Sequence, residues 1–465
     1  MTIKKGQEIE VKVTNMAFGG RGLVRLDGLA VFVDQAIPGD RVTIRIFKKK
    51  KNYAEARVVD LINPSPFRVV APCKYSGFCG GCKWQFLQYD QQLLYKRQHV
   101  VDSLKHIGLI HDVVVHPTIP SDIIFGYRNK MEFSCADKRW FLPNELGRED
   151  IDKGFALGLH VPGTFHKVID TKKCLLQPNL GNLLLDDARA FMRSSEAPVY
   201  GLRSHRGFWR FLVLKHSVAY DHWMVNIVTA EYNRKAVQPL ADQLMDRHPQ
   251  VVSVVNNITS RKAGVAIGEV EHTLAGSNTI SDKIFDFEFE ISANSFFQTN
   301  SRGAQILFSA VKQFANLTGM ETVLDLYSGT GTIPILLSES CKEIIGIEIV
   351  ESAIADAENN CRKNNICNCR FIHGDIRRCL AQIEKQPDVL IIDPPRAGMH
   401  KDVVKKVLEL KVQRIIYVSC NPATLARDLN VLKADYSILE VQPVDMFPHT
   451  YHVEAVAQLT RREKY

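Results

Sequence analysis

The chain has 465 residues, of which 45% are hydrophobic and 24% charged, a balance that excludes a collagen-like chain, a coiled-coil rod and wholesale disorder. Its 59 Lys and Arg stand against 51 Asp and Glu, a net +8 that permits nucleic-acid binding without showing it. No run approaches the roughly 18–20 apolar residues that span a bilayer, so no membrane partner is expected.

The first residues, MTIKKGQEIEVKV, hold no apolar h-region and no cleavage site, which predicts a cytoplasmic protein. Residues 1–62 read as four or five short strands separated by Gly-rich turns. Alternation such as Val42-Thr43-Ile44-Arg45-Ile46 is the period-2 signal of a half-buried strand. That density of strands predicts a small barrel of the OB type, a fold that often offers a basic face to RNA. Residues 1–60 carry 12 basic and 7 acidic residues, hence five of the eight net charges. The run Lys48–Lys51 is either part of an RNA face or a solvated loop. Pro64, Pro66 and Pro72 mark a linker.

The eleven cysteines are odd in number and accompany no export signal, so disulfides are not expected. Cys73-x5-Cys79-x2-Cys82 places three thiols within ten residues, and Gly77, Gly80 and Gly81 let the backbone wrap tightly. Tetrahedral zinc and a [4Fe–4S] cluster both usually take four ligands, and the spacing fits either. Residues 88–107 predict a helix, with Leu93, Leu94, Val100, Val101 and Leu104 at roughly helical spacing. Residues 63–290 are expected to form a mixed α+β central domain carrying the cysteine cluster. Its helix, extending to about residue 110, is expected to pack on the domain that follows. Within it, Tyr127-Arg128-Asn129-Lys130 and Lys215-His216 are candidate phosphate contacts on strands.

Residues 291–465 change pattern. Apolar runs at 322–327, 343–349, 388–393 and 414–419 alternate with helical stretches, which predicts an α/β domain with a parallel sheet covered on both faces. The first run enters the turn Ser328-Gly329-Thr330-Gly331, and the second ends at Glu348. Glycines there let a ligand approach the backbone, and an acidic residue can accept from ribose hydroxyls. Dinucleotides and S-adenosylmethionine both suit such a turn. Pro334 stands where a dinucleotide fingerprint has its third Gly, which disfavours a pyrophosphate cofactor. The third run ends in Asp393-Pro394-Pro395-Arg396, whose prolines stop the strand and leave the carboxylate above the sheet. The fourth ends in Ser419-Cys420-Asn421-Pro422, placing Cys420 in the same layer.

The segments DLYSGTG, DPPRAG, SCNPATLARDL and PHTYHVEAV resemble the motifs of the RNA 5-methyluridine methyltransferase family along essentially the whole chain. The N-terminal barrel resembles a TRAM domain. The cysteines and central region resemble the branch that acts on 23S ribosomal RNA. The resemblance implies a Rossmann-like, S-adenosylmethionine-dependent methyltransferase domain. It implies Cys420 as the nucleophile that adds to C6 of a flipped uridine, and Glu454 as the base that removes the C5 proton. It implies cofactor contacts from Gln298, Tyr327, Gly329, Glu348, Asp375 and Asp393, with Asp393 also facing the Watson–Crick edge of uracil and Phe296 stacking on RNA. It implies Cys174 as the fourth ligand of a [4Fe–4S] cluster held by Cys73, Cys79 and Cys82, with a structural role. Cys341, Cys361, Cys367, Cys369 and Cys379 are expected to be reduced core or surface thiols. The expected partner is 23S ribosomal RNA, with no DNA, and the expected state is a monomer.

Three other functions fit parts of the pattern. A transfer RNA 5-methyluridine enzyme shares the chemistry, although the usual bacterial form lacks the barrel and the cysteines. An amino-group methyltransferase uses Asp-Pro-Pro but needs no nucleophilic Cys. An RNA-binding assembly factor could keep a dead methyltransferase fold, against which Cys420, Glu454 and DLYSGTG stand intact.

Overall fold

The structure, a computed structural model, describes residues 3–262, 264–383 and 385–463. Alternating side chains build the first layer. Strands β1 (Glu8–Lys12), β2 (Asn15–Ala17), β3 (Arg21–Leu26), β4 (Leu29–Asp34), β5 (Arg41–Lys49) and β6 (Tyr53–Asn63) form one curled sheet in the order β1-β5-β6-β4-β3-β2. Val31, Val33, Val42, Ile44 and Ile46 point inward and are fully buried, as period 2 requires. Six strands form where four or five were expected. The tetralysine run is the end of β5 and the turn into β6, not a free loop. Lys48 Nζ lies 2.7 Å from Glu55 Oε1, and only Lys49–Lys51 project without such a partner among the described residues.

Helix α1 (Tyr89–His106) follows, then β7 (Val114–Val115). The central sheet contains β8 (Lys130–Ala136), β9 (Arg139–Trp140), β10 (Ala156–His160), β11 (Val168–Asp170), β12 (Trp209–His216), β13 (Trp223–Thr229), β14 (Val251–Ile258) and β15 (Val270–Gly276). Their order is β15-β14-β13-β12-β8-β10-β11-β9. Helices α2 (Asn179–Ser194) and α3 (Arg234–Arg247) cover one face, and Leu184, Leu185, Leu240 and Leu244 pack there with Trp209 and Trp223. The hairpin β16 (Thr279–Ile284) and β17 (Phe287–Ser292) then leads into α4 (Ser301–Ala315).

The last layer is the α/β sheet. It is built from β18 (Thr322–Leu326), β19 (Glu343–Glu348), β20 (Cys369–His373), β21 (Val389–Ile392), β22 (Arg414–Ser419), β23 (Tyr436–Val444) and β24 (Glu454–Arg461). The connecting helices are α5 (Thr332–Leu337), α6 (Glu351–Lys363), α7 (Ile376–Cys379), α8 (Lys401–Leu410) and α9 (Pro422–Leu432). The strand order is β20-β19-β18-β21-β22-β24-β23-β7. Strands β18 to β22 run parallel, and β24 is antiparallel to β22. The chain returns to both sides of β18, so the strand order reverses there and a ligand crevice opens above its carboxyl end. Burial on both faces explains the unbroken apolar runs: Val323, Ile391 and Ile416 pack toward α4 and α5, while Leu324, Leu390 and Ile415 pack toward α8 and α9.

Two contributions come from outside this segment. Val100 and Leu104 of α1 join the core beside Leu425 and Leu429 of α9. Val115 of β7 extends the sheet beside Val441. The helix was expected to pack here, but a two-residue strand carries no periodicity to find in a sequence. Among the described residues no helix is long and apolar enough to cross a membrane.

Candidate active site at the strand tips

The turn after β18 carries the first side chains. Tyr327 takes a left-handed backbone, φ +68, and Gly329 and Gly331 follow at φ +54 and +76. A Cβ on Gly331 would lie 2.8 Å from the Ala357 methyl, so only glycine lets α5 sit against α6; a Cβ on Gly329 would meet nothing within 4 Å, which leaves its crevice side open. The Gly329 N–H donates to Glu348 Oε2 at 3.0 Å, and the N–H groups of Ile349 and Val350 donate to Oε1 at 2.8 and 2.9 Å. Glu348 is thereby held rigidly at the tip of β19. Tyr327, Glu348, Asp375, Arg377 and His400 line one cleft. Asp375 lies in its wall, but its carboxylate is taken up locally. It accepts from the Arg377 N–H at 2.9 Å and from its Nε at 3.0 Å, and that guanidinium holds the acid down to about 2.

Asp325, inside β18, is a group the sequence reading passed over. Both carboxylate oxygens are buried without a hydrogen-bond partner, as is Ser328 Oγ. Burial, then the charges of Asp393 and Glu348, push Asp325 well above the ordinary carboxylate range. Three acids thus converge on the crevice, and neither carboxylate oxygen of Asp325 has a hydrogen-bond partner among the described residues. A cationic ligand satisfies that arrangement, and S-adenosylmethionine brings both a sulfonium and an ammonium. The only sequence signal for Asp325 was its place two residues before Tyr327 in DLYSGTG.

Asp393, Cys420 and Glu454 meet at the tips of β21, β22 and β24. Burial raises Asp393 to about 7. Burial, with the charges of Glu454 and Asp393 and against that of Arg396, raises the half-buried Cys420 thiol to about 11. Glu454 is 8% exposed; burial and then Asp393 raise it to about 8, while Arg396 and Lys96 draw it down. The mutual influence puts the thiol and both acids within electrostatic reach of one another and of Arg396. Cys420 also directly precedes Asn421, the N-cap of α9. Asn421 caps that helix by accepting from the Ala423 N–H at 3.1 Å, and its Nδ2 donates to Arg396 O at 3.1 Å, tying the two strand tips together. A helix N-terminus favours a thiolate, which opposes the burial effect.

Gln298 lies between β17 and α4. Its backbone carbonyl accepts from Asn129 Nδ2 at 2.8 Å, and its side-chain amide has no partner among the described residues. Phe296 is 66% exposed. The expectation that Lys215 contacts phosphate is corrected. Lys215 is buried and donates to Ser292 O at 2.6 Å and Ser295 O at 2.9 Å, Tyr127 is buried, and Asn129 bonds Ser301 Oγ at 2.8 Å. Lys215 and Asn129 thus hold the segment 292–301 in place, Tyr127 donates to Pro448 O at 3.0 Å, and Arg128, Lys130 and His216 are half-buried.

The loop before Glu454 is clamped from distant parts of the chain. Lys96 Nζ on α1 reaches Asp445 Oδ1 at 2.5 Å and Phe447 O at 3.0 Å, with both charged side chains 0% exposed. Tyr89 donates to Asp445 Oδ2 at 2.9 Å. Gln92 Oε1 accepts from the His449 N–H at 2.8 Å, and the N–H groups of Lys83 and Trp84 donate to His449 O at 2.9 and 3.0 Å. Phe18 of the barrel meets Tyr451 ring to ring at 5.5 Å. Removing one partner leaves a buried charge unpaired, so Lys96→Met is expected to cost about 3–5 kcal/mol in urea unfolding, and Lys96→Met with Asp445→Asn to regain most of it. A loss below about 1 kcal/mol would mean that water reaches Asp445.

Cys73, Cys79, Cys82 and Cys174 line one small cavity. Burial raises the thiols of Cys79 and Cys82 to about 12. The Gly81 N–H points at Cys79 Sγ at 3.3 Å and Gln85 Nε2 at Cys82 Sγ at 3.2 Å. Among the described residues no three His, Cys, Asp or Glu side chains converge closely enough to hold a single metal ion. Cys135 is fully buried against Met192 and does not line that cavity. Cys341, Cys361 and Cys379 are buried, Cys369 is half-buried and Cys367 exposed; all eleven thiols are free.

The family model described as tRNA (Uracil-5-)-methyltransferase matches residues 226–462, and the TRAM domain model matches residues 3–59. An uncharacterized RNA methyltransferase of Chlorobaculum tepidum is 41% identical, covering 99% of this chain and 98% of its own. One from Bacteroides thetaiotaomicron is 40% identical, covering 96% and 100%. Among solved structures, the tRNA (uracil-54, C5)-methyltransferase of Pyrococcus abyssi, in complex with S-adenosyl-L-homocysteine, superposes with a TM-score of 0.76 at 31% identity, covering 97% of this chain and all of that one. The chain belongs to the tRNA (uracil-5-)-methyltransferase family of S-adenosylmethionine-dependent RNA methyltransferases and carries a TRAM domain at its N-terminal end.

Proposed function

We propose that this protein methylates C5 of a uridine in 23S ribosomal RNA through a covalent bond between Cys420 and C6. The convergence of Cys420, Asp393 and Glu454 at adjoining strand tips carries the reading. C5 of uracil is a weak nucleophile. Addition of the Cys420 thiolate to C6 moves an electron pair onto O4, and the resulting enolate makes C5 nucleophilic. C5 then takes the methyl group from the sulfonium, and S-adenosylhomocysteine leaves. Glu454 removes the C5 proton, the C5–C6 double bond re-forms, and the thiolate is expelled. Asp393, with its acidity weakened toward neutrality, accepts from or donates to the N3–O4 edge of the base. The uridine must leave its stack to reach this depth, at a cost of a few kcal/mol. Gln298, Tyr327, Gly329 and Glu348 would hold the cofactor, with Asp375 in the cleft wall.

Transfer RNA is the second reading, and one observation favours it. The Pyrococcus abyssi tRNA enzyme matches 97% of this chain, so the barrel-bearing architecture does not by itself exclude a tRNA substrate. The resemblance of the four-cysteine set to the ribosomal branch supports the first reading. Incubating the protein with labelled S-adenosylmethionine and, separately, 23S ribosomal RNA and tRNA transcripts tests both. The expected result is 5-methyluridine in the ribosomal transcript; methylation confined to tRNA would transfer the assignment.

The cavity formed by Cys73, Cys79, Cys82 and Cys174 supports a [4Fe–4S] cluster with a structural role, and the chemistry above contains no redox step. When bound, the cluster would supply four iron–sulfur bonds that tie residues 73–82 to Cys174. Anaerobically purified protein is expected to contain about four irons per chain, and Cys82→Ser to lose most of them. One zinc per chain and no iron would replace the cluster with a tetrahedral site.

A further inference from the structure

A concave surface at the outer edge of the central sheet lies outside the machinery described so far. Its wall includes Lys138, Arg139, Trp140, His166, Lys167 and Arg203. Arg139 is committed to Glu145 and to Asp170, whose Oδ2 lies 3.6 Å away. Lys138, Lys167 and Arg203 pair with no carboxylate among the described residues, and Asp137 is the single acid of the wall. Arg203 Nη2 sits 2.6 Å from His166 Nε2, so the ring accepts there, and its other nitrogen, Nδ1, is buried without a partner. Burial, then the charges of Arg203 and Lys167, hold His166 below its usual value, which fits a locally positive field. Two aromatic rings flank the cations. Phe165 is 69% exposed, and Trp140 is half-buried.

The surface is joined to the active site through contacts. Trp140 packs on Phe78 with ring centroids 6.2 Å apart, inside the Cys73–Cys82 segment. That segment continues into Lys83 and Trp84, whose N–H groups bind the His449 carbonyl of the loop before Glu454. RNA held here therefore lies against the same element that braces the base-bearing loop.

We infer that this concavity binds the phosphodiester backbone of the substrate RNA at a stretch away from the target uridine, with Lys138, Lys167 and Arg203 as phosphate contacts. The inference rests on the RNA-methylation reading and deepens it by naming where flanking RNA is held. Clustered cations with exposed rings suit unpaired RNA, whose phosphates pair with Lys and Arg while its bases stack on aromatic faces.

Fluorescence anisotropy with a fluorescein-labelled oligouridylate tests the surface without the native substrate. Lys138→Gln combined with Arg203→Gln removes two cations. Each single-strand phosphate contact contributes about 0.7 to the slope of log affinity on log salt, so the slope is expected to fall by about 1.4 and Kd to rise about 10-fold near physiological salt. Arg203→Lys is expected to keep the wild-type slope. S-adenosylhomocysteine binding and the thermal midpoint are expected to stay at wild-type values, which separates a lost contact from a lost fold. An unchanged slope in the double variant, or failure of the wild-type protein to bind the probe, would overturn the assignment. If the slope falls as expected while the wild-type protein methylates no RNA, this surface stands and the enzymatic reading fails.

Discussion

Cys420→Ala is expected to lower methyl transfer to uridine by at least about 10⁴-fold while leaving S-adenosylhomocysteine binding within a few-fold of wild type. Loss of a covalent nucleophile commonly costs that much or more, because C5 then has no enolate to attack with. The cleft proposed for the cofactor is lined by Tyr327, Glu348, Asp375 and His400 and not by Cys420, so the two readouts separate. The burial that raises the thiol to about 11 adds a pH signature. In the free protein little of it is thiolate at pH 7, so kcat/KM is expected to rise with pH between about 6 and 9 as the thiolate fraction grows. The α9 N-terminus, Arg396 and an incoming sulfonium all act to bring the thiol down once substrates are bound. Radioactive methyl transfer to a 23S ribosomal transcript across that pH range measures both effects. A Cys420→Ala enzyme within 10-fold of wild type would remove the nucleophile from the mechanism.

Glu454→Gln is expected to stop turnover after methyl transfer, leaving a covalent protein–RNA adduct that survives denaturing electrophoresis. Addition and methylation need only Cys420 and the cofactor, whereas elimination needs a base for the C5 proton. The same variant is expected to gain stability. Glu454 is raised from an ordinary 4.5 to about 8 in the folded protein. Such a group binds its proton more tightly when folded, so its contribution is favourable below about pH 4.5 and is lost as pH rises through about 8. Relative to wild type, Glu454→Gln is therefore expected to match at pH 4 and to be more stable by a few kcal/mol at pH 8–9. A thermal-melt series from pH 4 to 9 reads this directly. A gain that is the same at every pH would mean that the carboxylate is not what destabilises the site, and turnover at the wild-type rate without adduct would assign the base elsewhere.

How much of this site could be read from the chain follows from where its residues lie. Cys420, Asp393 and the glycine turn were legible because each ends an unbroken apolar run, and parallel strands in one sheet bring such ends to a common edge. The helix over 88–107 was legible from its spacing and forms at Tyr89–His106. What that helix does was not. Lys96 meets Asp445 at a sequence separation of 349, and neither residue belongs to a periodic pattern or a motif. Lys215 was misread for a related reason: a basic residue on a strand suggests a solvent face, yet β12 is a central strand flanked by β13 and β8, and the lysine is spent on two backbone carbonyls. Asp325 was printed in the most legible motif of all, but only the fold shows that both its oxygens lack partners.

The most direct measurement uses RNA in which the target uridine is replaced by 5-fluorouridine. Fluorine at C5 cannot be removed as a proton, so the reaction should halt after methylation with the thioether intact. Digestion and mass spectrometry are expected to find a methylated fluorouridine nucleotide on the peptide that contains Cys420 and on no other. An adduct on a different residue, or efficient methylation of unmodified RNA by a protein that forms no adduct with the fluorinated one, would contradict covalent catalysis by Cys420.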